Sequence, residues 1–246
     1  MELYSEQAFF AHIHIAKTAG SSFNRILARN FLGICGYKGY SFMQPFEDVF
    51  INRKDPRYPR RHRNKVAQAR MFDWGFHNCA LVSHETEWTL WKKITQRFRE
   101  GGVPLVMMLP CRDPVDHFLS MCNYKKIDVT HLFRYKSCEV AKKCFIQPER
   151  FNMSMLSFFD KVILYQYMEI PAILELLRPK LPARILSLTS KKRYVTNTAR
   201  KVESENLGAC TRTKLEEFLH SEWEYYGLCD RLKGRYSVLD LPLYKQ

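Results

Sequence analysis

The 246-residue chain is 46% hydrophobic and 14% aromatic, with ten glycines and eleven prolines. These values exclude a disordered or fibrous protein and predict one α/β domain spanning residues 1–246. A formal net charge of +14 and a pI near 9.5 indicate an anionic partner: nucleic acid, acidic polysaccharide, anionic lipid or a polyphosphorylated cofactor.

No apolar stretch reaches the ~18–20 residues that span a bilayer, and no signal-peptide pattern is present. The chain as written is therefore expected to be soluble, with no transmembrane segment.

Apolar runs alternate with amphipathic stretches along the chain. The strand candidates are residues 8–15, 78–85, 103–109, 161–166 and 184–188. Helices are predicted after the first four strands, and a last helix is predicted to start at the capping box Thr213–Glu216. This order predicts a P-loop-like three-layer α/β fold, in which a central, mostly parallel sheet is flanked by helices.

The stretch HIAKTAGSSF lies between the first strand and the first helix. The free backbone N–H groups and the helix dipole of such a turn bind an anion. Small residues would let phosphate oxygens approach the backbone, hydroxyls would donate hydrogen bonds, and a lysine would add a full charge. The residues concerned are Lys17, Thr18, Ala19, Gly20, Ser21 and Ser22. Because the lysine precedes the glycine, the pattern differs from G-x-x-x-x-G-K-[ST] and disfavours a nucleoside-triphosphate kinase.

A second candidate site lies in LPCRDPVDHFLSMCNY, residues 109–124. Arg112 ends the third predicted strand, and Ser120 follows two turns into the next helix. A guanidinium and a hydroxyl in these positions suit a second phosphate. The alternative is that Arg112 only pairs with Asp113 or Asp116.

HIAKTAGSSF followed by RDPVDHFLSMCNY resembles the two cofactor-binding signatures of sulfotransferases that use 3′-phosphoadenosine 5′-phosphosulfate (PAPS). The resemblance is to the Golgi carbohydrate branch, which includes heparan 2-O- and galactose 3-O-sulfotransferases. LVSHETEW is similar to the strand that carries the catalytic histidine of that branch. FFDKVILYQYMEIPAILELL and LHSEWEYYGLCDRL are similar to two further segments, so that the resemblance extends over nearly the whole chain.

The resemblance implies that residues 17–23 bind the 5′-phosphosulfate and that Arg112 and Ser120 bind the 3′-phosphate, without a metal. Lys17 would stabilise the charge that develops on the leaving phosphate. His84 would take the proton of the acceptor hydroxyl, with Glu85 and Glu87 as alternatives and a structural role for His84 also open.

The acceptor implied by the resemblance is a carbohydrate hydroxyl. A small molecule or a protein tyrosine is the alternative acceptor. The compartment implied is the Golgi lumen if an anchor is missing from this chain, and the cytoplasm otherwise. Cys138 and Cys144 fall where related Golgi enzymes carry a disulfide. The basic stretch 190–201 falls where the family has a segment closing over the nucleotide. Its candidate contacts are Arg193, Arg200 and Lys201.

The remaining patterns allow more than one interpretation. The basic stretch 53–65 is either a solvated loop or a surface for an anionic acceptor. His12 and His14 project to one face of a strand, where they either pack in the core or line the floor of the site, and metal binding is disfavoured because no third ligand follows. The rival functions are an ATP- and Mg²⁺-dependent phosphotransferase and a basic binding protein for nucleic acid or other polyanions. Nucleic acid is not the expected partner.

Overall fold

In a computed structural model of the chain, the residues described are 8–15, 17–36, 79–85, 88–126, 151–166, 168–183 and 207–241. Their strands are β1 (Phe9–His14), β2 (Ile34–Gly36), β3 (Leu81–Glu85), β4 (Leu105–Cys111), β5 (Lys161–Gln166) and β6 (Tyr236–Asp240). Their helices are α1 (Gly20–Asn30), α2 (Trp88–Glu100), α3 (Pro114–Lys125), α4 (Ile170–Leu177), α5 (Ala209–Glu222) and α6 (Glu224–Cys229), with a 3₁₀ helix at Met153–Phe158.

The strands form one six-stranded sheet in the order β2-β3-β1-β4-β5-β6. The first five strands are parallel, and β6 pairs with β5 in the antiparallel direction at one edge. All seven residues of β4 are buried. A continuous apolar run of this kind is typical of a strand whose two faces are both covered by helices.

Two apolar clusters cover the two faces of the sheet. On one face, Phe23 and Leu27 of α1 and Ile173 of α4 pack against side chains such as Phe10 and Met108. The opposite face is covered by α2, α3, the 3₁₀ helix, α5 and α6, whose buried residues include Trp91 and Phe118. The architecture is therefore a three-layer α/β fold with a mostly parallel central sheet, which confirms the predicted fold class.

The described strands also test the predicted elements. The prediction for 161–166 matches β5 in both bounds, and β1, β3 and β4 each overlap a predicted strand. The short strand β2 and the edge strand β6 carry no strong periodicity and are missed. The predicted strand 184–188 lies outside the described residues. The capping box is wrong, because α5 begins at Ala209 after Gly208 and the Thr213 hydroxyl donates to the Ala209 carbonyl inside the helix.

The helices in the described part of the chain include none that is both long enough and apolar enough to cross a membrane. Cys111 is buried and is a free thiol. Cys138, Cys144 and the basic stretches 53–65 and 190–201 lie outside the described residues.

Candidate anion-binding site

The two predicted phosphate motifs meet at the carboxyl ends of two neighbouring strands. β1 and β4 are adjacent and parallel, and the helices that follow them lie on opposite faces of the sheet, α1 on one and α3 on the other. The connections after β1 and β4 therefore diverge and leave a crevice between them. In open α/β sheets, ligands bind at this kind of switch point.

The turn between β1 and α1 has an unusual backbone. Lys17 and Ala19 both adopt left-handed conformations, with φ of 67° and 62°, which non-glycine residues rarely adopt. The N–H and the hydroxyl of Thr18 both bond to the Ile15 carbonyl, at 3.4 and 2.7 Å. The Thr18 hydroxyl therefore closes the turn in this structure, rather than pointing at a ligand as the sequence predicts.

The amino end of α1 carries backbone donors that the helix itself does not use. Ala19 is the N-cap residue and has no side chain that could cap these donors. The N–H groups of Ser22 and Phe23 bond to the Ala19 carbonyl at 3.0 Å, whereas the first N–H groups of any α-helix have no intrahelical acceptor. Those of Gly20 and Ser21 are thus placed to bind an anion.

Gly20 is required by the close approach of His14. A Cβ atom at position 20 would lie 2.2 Å from Cδ2 and 2.6 Å from Nε2 of the His14 ring. The imidazole of His14, at the carboxyl end of β1, therefore lies directly against the first residue of α1. The small residue predicted for phosphate approach also makes room for this histidine.

Arg112 connects the second motif to the first. It follows the last residue of β4, and its Nη1 donates a hydrogen bond to the backbone carbonyl of Lys17 at 2.6 Å. The contact joins residues 95 positions apart in the chain. It places a half-buried guanidinium beside the loop, so that Arg112 and the residues of HIAKTAGSSF form one cationic site.

The ammonium of Lys17 is half-buried within this site. Burial, and then the charge of Arg112, lower the pKa of Lys17. Burial disfavours the charged form of any side chain, and a neighbouring positive charge disfavours a second one. An anion bound between the two side chains would relieve this repulsion. The electrostatics of the site therefore favour a negatively charged ligand.

The carboxylate of Asp113 holds the start of α3. Its Oδ1 accepts the N–H of Asp116 at 2.9 Å, and Pro114 follows at the first helical position, an arrangement typical of the start of a helix. Its Oδ2 accepts from Arg212 of α5 at 3.0 Å. Asp113 thus has two partners other than Arg112, and Ser120 lies half-buried in the second turn of the same helix.

A buried polar network lies beneath the loop, with His12 at its centre. Nδ1 of His12 lies 2.8 Å from the Ser83 hydroxyl and 3.2 Å from Oδ1 of Asn24, and Nε2 lies 3.0 Å from the Tyr165 hydroxyl. The network joins β1, β3 and β5 to α1. It fixes the first helix, and with it the anion-binding turn, relative to the sheet.

The charge state of His12 follows from its partners. A hydrogen bond to Oδ1 of Asn24 requires a proton on Nδ1 of His12, because an amide oxygen only accepts, and in that tautomer Nε2 accepts from the Tyr165 hydroxyl. Burial, with a smaller contribution from His14, lowers the pKa of His12 to about 3. His12 is therefore neutral at physiological pH, and its role is to position α1.

Besides Thr18, the predicted site residues Phe23 and His84 have buried side chains. Phe23 is 1% exposed, with its ring edge-on to His12 at 5.0 Å, so it anchors α1 and only its backbone faces the turn. His84 is 2% exposed and packs edge-on against Trp91 of α2 at 6.1 Å. The ring of His84 therefore lies on the α2 face of the sheet, whereas Ser83 bonds to His12 on the α1 face.

Ala19 and Ser22 lie half-buried at the turn, next to Lys17 and Gly20. Glu85 is paired in register with His14, at the same edge of the sheet. The side chains of Ser21 and Glu85 and the whole of Glu87 lie outside what the structure describes.

Several residues of the site have no strong sequence signal. Tyr165 reaches His12 from β5, which is distant in sequence, and Asn24 reaches it from the next helix, α1. Arg212 reaches Asp113 from α5. Tyr124 lies 4.7 Å below the Lys17 ammonium, measured to the ring centroid. For Tyr165, the sequence signal is limited to a hydroxyl-bearing side chain near the end of a buried strand. His12 and His14 share a face as predicted, with ring centroids 6.2 Å apart.

The described residues hold no group of three or more His, Cys, Asp or Glu side chains that could bind a metal ion.

A scan against protein-family models finds no match, and a search of curated proteins finds none. Among solved structures, this chain is similar to a sulfotransferase from Alicyclobacillus acidocaldarius, at 16% identity and a TM-score of 0.41, with 98% of this chain and 100% of that chain covered. It is also similar to a chain of the PezAT chromosomal toxin–antitoxin system of Streptococcus pneumoniae, at 11% identity and a TM-score of 0.38, with coverages of 94% and 90%. Likenesses this weak do not define a function.

Proposed function

We propose that this protein is a sulfotransferase that moves a sulfuryl group from PAPS to an acceptor hydroxyl. The observation that carries the proposal is the hydrogen bond from Arg112 to the Lys17 carbonyl, which unites the two motifs that resemble PAPS-binding signatures. A donor with two separate phosphate positions needs two anion-binding elements at one crevice, and β1–α1 and β4–α3 supply them.

The residues of the crevice fit such a donor. The N–H groups at the start of α1 and the hydroxyl of Ser22 would hold the 5′-phosphate, while Arg112 and Ser120 would hold the 3′-phosphate. The donor supplies an activated sulfuryl group whose leaving group is a phosphate. Lys17 then stabilises the negative charge that develops on this leaving oxygen. Burial and the charge of Arg112 lower the pKa of Lys17, and the negative charge of the donor would offset both effects.

The acceptor hydroxyl needs a base, and His84 is the proposed group. It lies near the carboxyl end of β3, the strand that neighbours β1, in register with Ile13. Its ring is 2% exposed, which a structural histidine would also show. Glu85, the next residue along the strand, is the alternative base.

The acceptor is proposed to be a carbohydrate hydroxyl. The support is the resemblance to carbohydrate sulfotransferases together with the net charge of +14, which favours an anionic glycan. A small molecule or a protein tyrosine would use the same donor site, so an acceptor screen with radiolabelled PAPS distinguishes them.

The proposal is tested by calorimetric titration with 3′,5′-adenosine bisphosphate and, separately, with ATP and Mg²⁺. We expect the bisphosphate to bind in preference to ATP, and Arg112→Ala to weaken it by about 100-fold, since a hydrogen bond to a charged group contributes ~1.5–3 kcal/mol. Arg99→Ala is the matched control, because Arg99 lies in the last turn of α2 and donates to the Ser157 carbonyl. Preference for ATP would indicate a phosphotransferase. Salt-dependent binding of nucleic acid without nucleotide binding would indicate a polyanion-binding protein.

A further inference from the structure

An exposed aromatic ring lies beside the anion-binding loop. Tyr124 is 58% exposed and belongs to the last turn of α3, four residues after Ser120, so the two residues share a helix face. The Lys17 ammonium lies 4.7 Å from the centroid of its ring. This distance is within the ~6 Å over which the face of an aromatic ring attracts a cation.

The environment of Lys17 disfavours its positive charge, so a contact that attracts the ammonium affects its position. Its side chain is a flexible four-carbon stem that leaves a backbone in the left-handed conformation. Burial and the charge of Arg112 disfavour the ammonium where it is. The ring of Tyr124 attracts the ammonium towards α3, which opposes the repulsion from Arg112 without introducing an acidic group that would compete with an anionic ligand.

We propose that Tyr124 is a positioning residue for Lys17. Its ring holds the ammonium between the loop and α3, so that the cation is ordered before the donor binds. The inference rests on the proposed function, in which Lys17 stabilises the leaving phosphate. Because ordering a catalytic group in advance lowers the barrier to the reaction more than it tightens ground-state binding, loss of the ring should lower kcat and leave nucleotide affinity nearly unchanged.

The contact itself is tested without any nucleotide. The rate at which an amine-reactive acetylating reagent labels Lys17 is followed by mass spectrometry, as a function of pH, in Tyr124→Leu, Tyr124→Phe and Tyr236→Leu. We expect about fivefold faster labelling in Tyr124→Leu, the equivalent of a cation–π contact, and a rate in Tyr124→Phe near that of the wild type. Tyr236, an exposed ring on β6, is the matched control. Equal rates in Tyr124→Leu and the wild type, or equal rates in the Leu and Phe variants, would overturn the inference.

The consequence for turnover is tested with PAPS as donor and water as acceptor. We expect kcat to fall about fivefold in Tyr124→Leu, KM and the Kd of 3′,5′-adenosine bisphosphate to stay within about twofold, and Tyr124→Phe to restore kcat. Normal kcat in Tyr124→Leu would overturn the positioning role. Failure of the wild type to bind the bisphosphate would instead overturn the proposed function, and the labelling result would still report on the contact.

Discussion

The Arg112 guanidinium donates a 2.6 Å hydrogen bond to the backbone carbonyl of Lys17. Arg112 thus has two tasks in the proposed site, since it holds a left-handed loop residue in place and presents a cation to a phosphate. A lysine at position 112 would keep the charge but lose the planar fork that allows two simultaneous contacts.

Arg112→Lys should therefore retain only part of the binding. We expect the Kd of 3′,5′-adenosine bisphosphate to rise about tenfold, less than in Arg112→Ala, because one charged contact of two is retained. Calorimetry measures the affinities, and circular dichroism confirms that both variants fold. Affinity in Arg112→Lys equal to that of the wild type would show that the fork geometry is unimportant.

Lys17→Ala should affect turnover more than binding. The proposed role of the ammonium is confined to the leaving phosphate in the transition state, so kcat should fall by about 10²–10³-fold. The Kd of the bisphosphate should change by less than about tenfold. Steady-state kinetics with PAPS, alongside Lys92→Ala on the exposed face of α2, measures both effects. Unchanged kcat in Lys17→Ala would remove Lys17 from catalysis.

Gly20→Ala should disturb the loop through His14. The added Cβ would lie within 2.6 Å of two ring atoms of His14, so either the imidazole or the first turn of α1 must shift. We expect about tenfold weaker bisphosphate binding. The double variant His14→Ala/Gly20→Ala should recover most of this loss relative to His14→Ala alone. Absence of recovery would show that the glycine is needed for another reason, such as close approach of the ligand.

The buried His12 should make stability depend on pH. Its folded-state pKa of about 3 lies below the unfolded value near 6.5. Between these values the unfolded chain binds a proton that the folded chain does not. Stability is therefore full above about pH 6.5 and falls below it by about 1.4 kcal/mol per pH unit towards pH 3. Urea denaturation between pH 7 and 4.5 should show a shallower loss in His12→Gln.

His220 is a control because its contribution to stability should change with pH in the direction opposite to that of His12. Burial lowers its pKa, but the Glu216 carbonyl and the neighbouring Asp230 raise it, and the net shift is upward. Its stabilising contribution is therefore present at acidic pH and lost as the pH rises through the folded-state pKa. His220→Gln should therefore lower stability by a constant amount below about pH 6.5 and remove the decrease that the wild type shows as the pH rises above that value. Identical profiles for His12→Gln and the wild type would contradict a neutral, hydrogen-bonded His12.

The base is assigned by comparing His84→Ala with Glu85→Gln. Loss of a general base lowers transfer by about 10²–10⁴-fold and should leave bisphosphate affinity nearly intact. Because the His84 ring packs on Trp91, thermal stability is measured in parallel. A large loss of transfer in Glu85→Gln alone, or a loss in His84→Ala that is explained by unfolding, would assign the base to another group.

The loop, Arg112 and the parallel sheet could be predicted because each has a local signature: small residues after an apolar run, a cation at a strand end, and alternating strand and helix periods. Contacts between distant segments could not. Ser83 and Tyr165 meet at His12 only because β1, β3 and β5 are brought together in the sheet. Asn24 meets His12 because α1 packs on that sheet, and Tyr124 meets Lys17 because α3 packs beside the loop. The exposed edge strand β6 has too little hydrophobic alternation to be recognised.

The most direct test of the proposed function is the coupling between Arg112 and the 3′-phosphate of the donor nucleotide. Binding of 3′,5′-adenosine bisphosphate and of adenosine 5′-phosphate is measured on the wild type and on Arg112→Ala. We expect removal of the 3′-phosphate to cost the wild type about 100-fold in affinity and to cost Arg112→Ala less than about threefold. Equal losses in the two proteins would contradict recognition of a 3′-phosphate by Arg112 and, with it, the two-phosphate donor site.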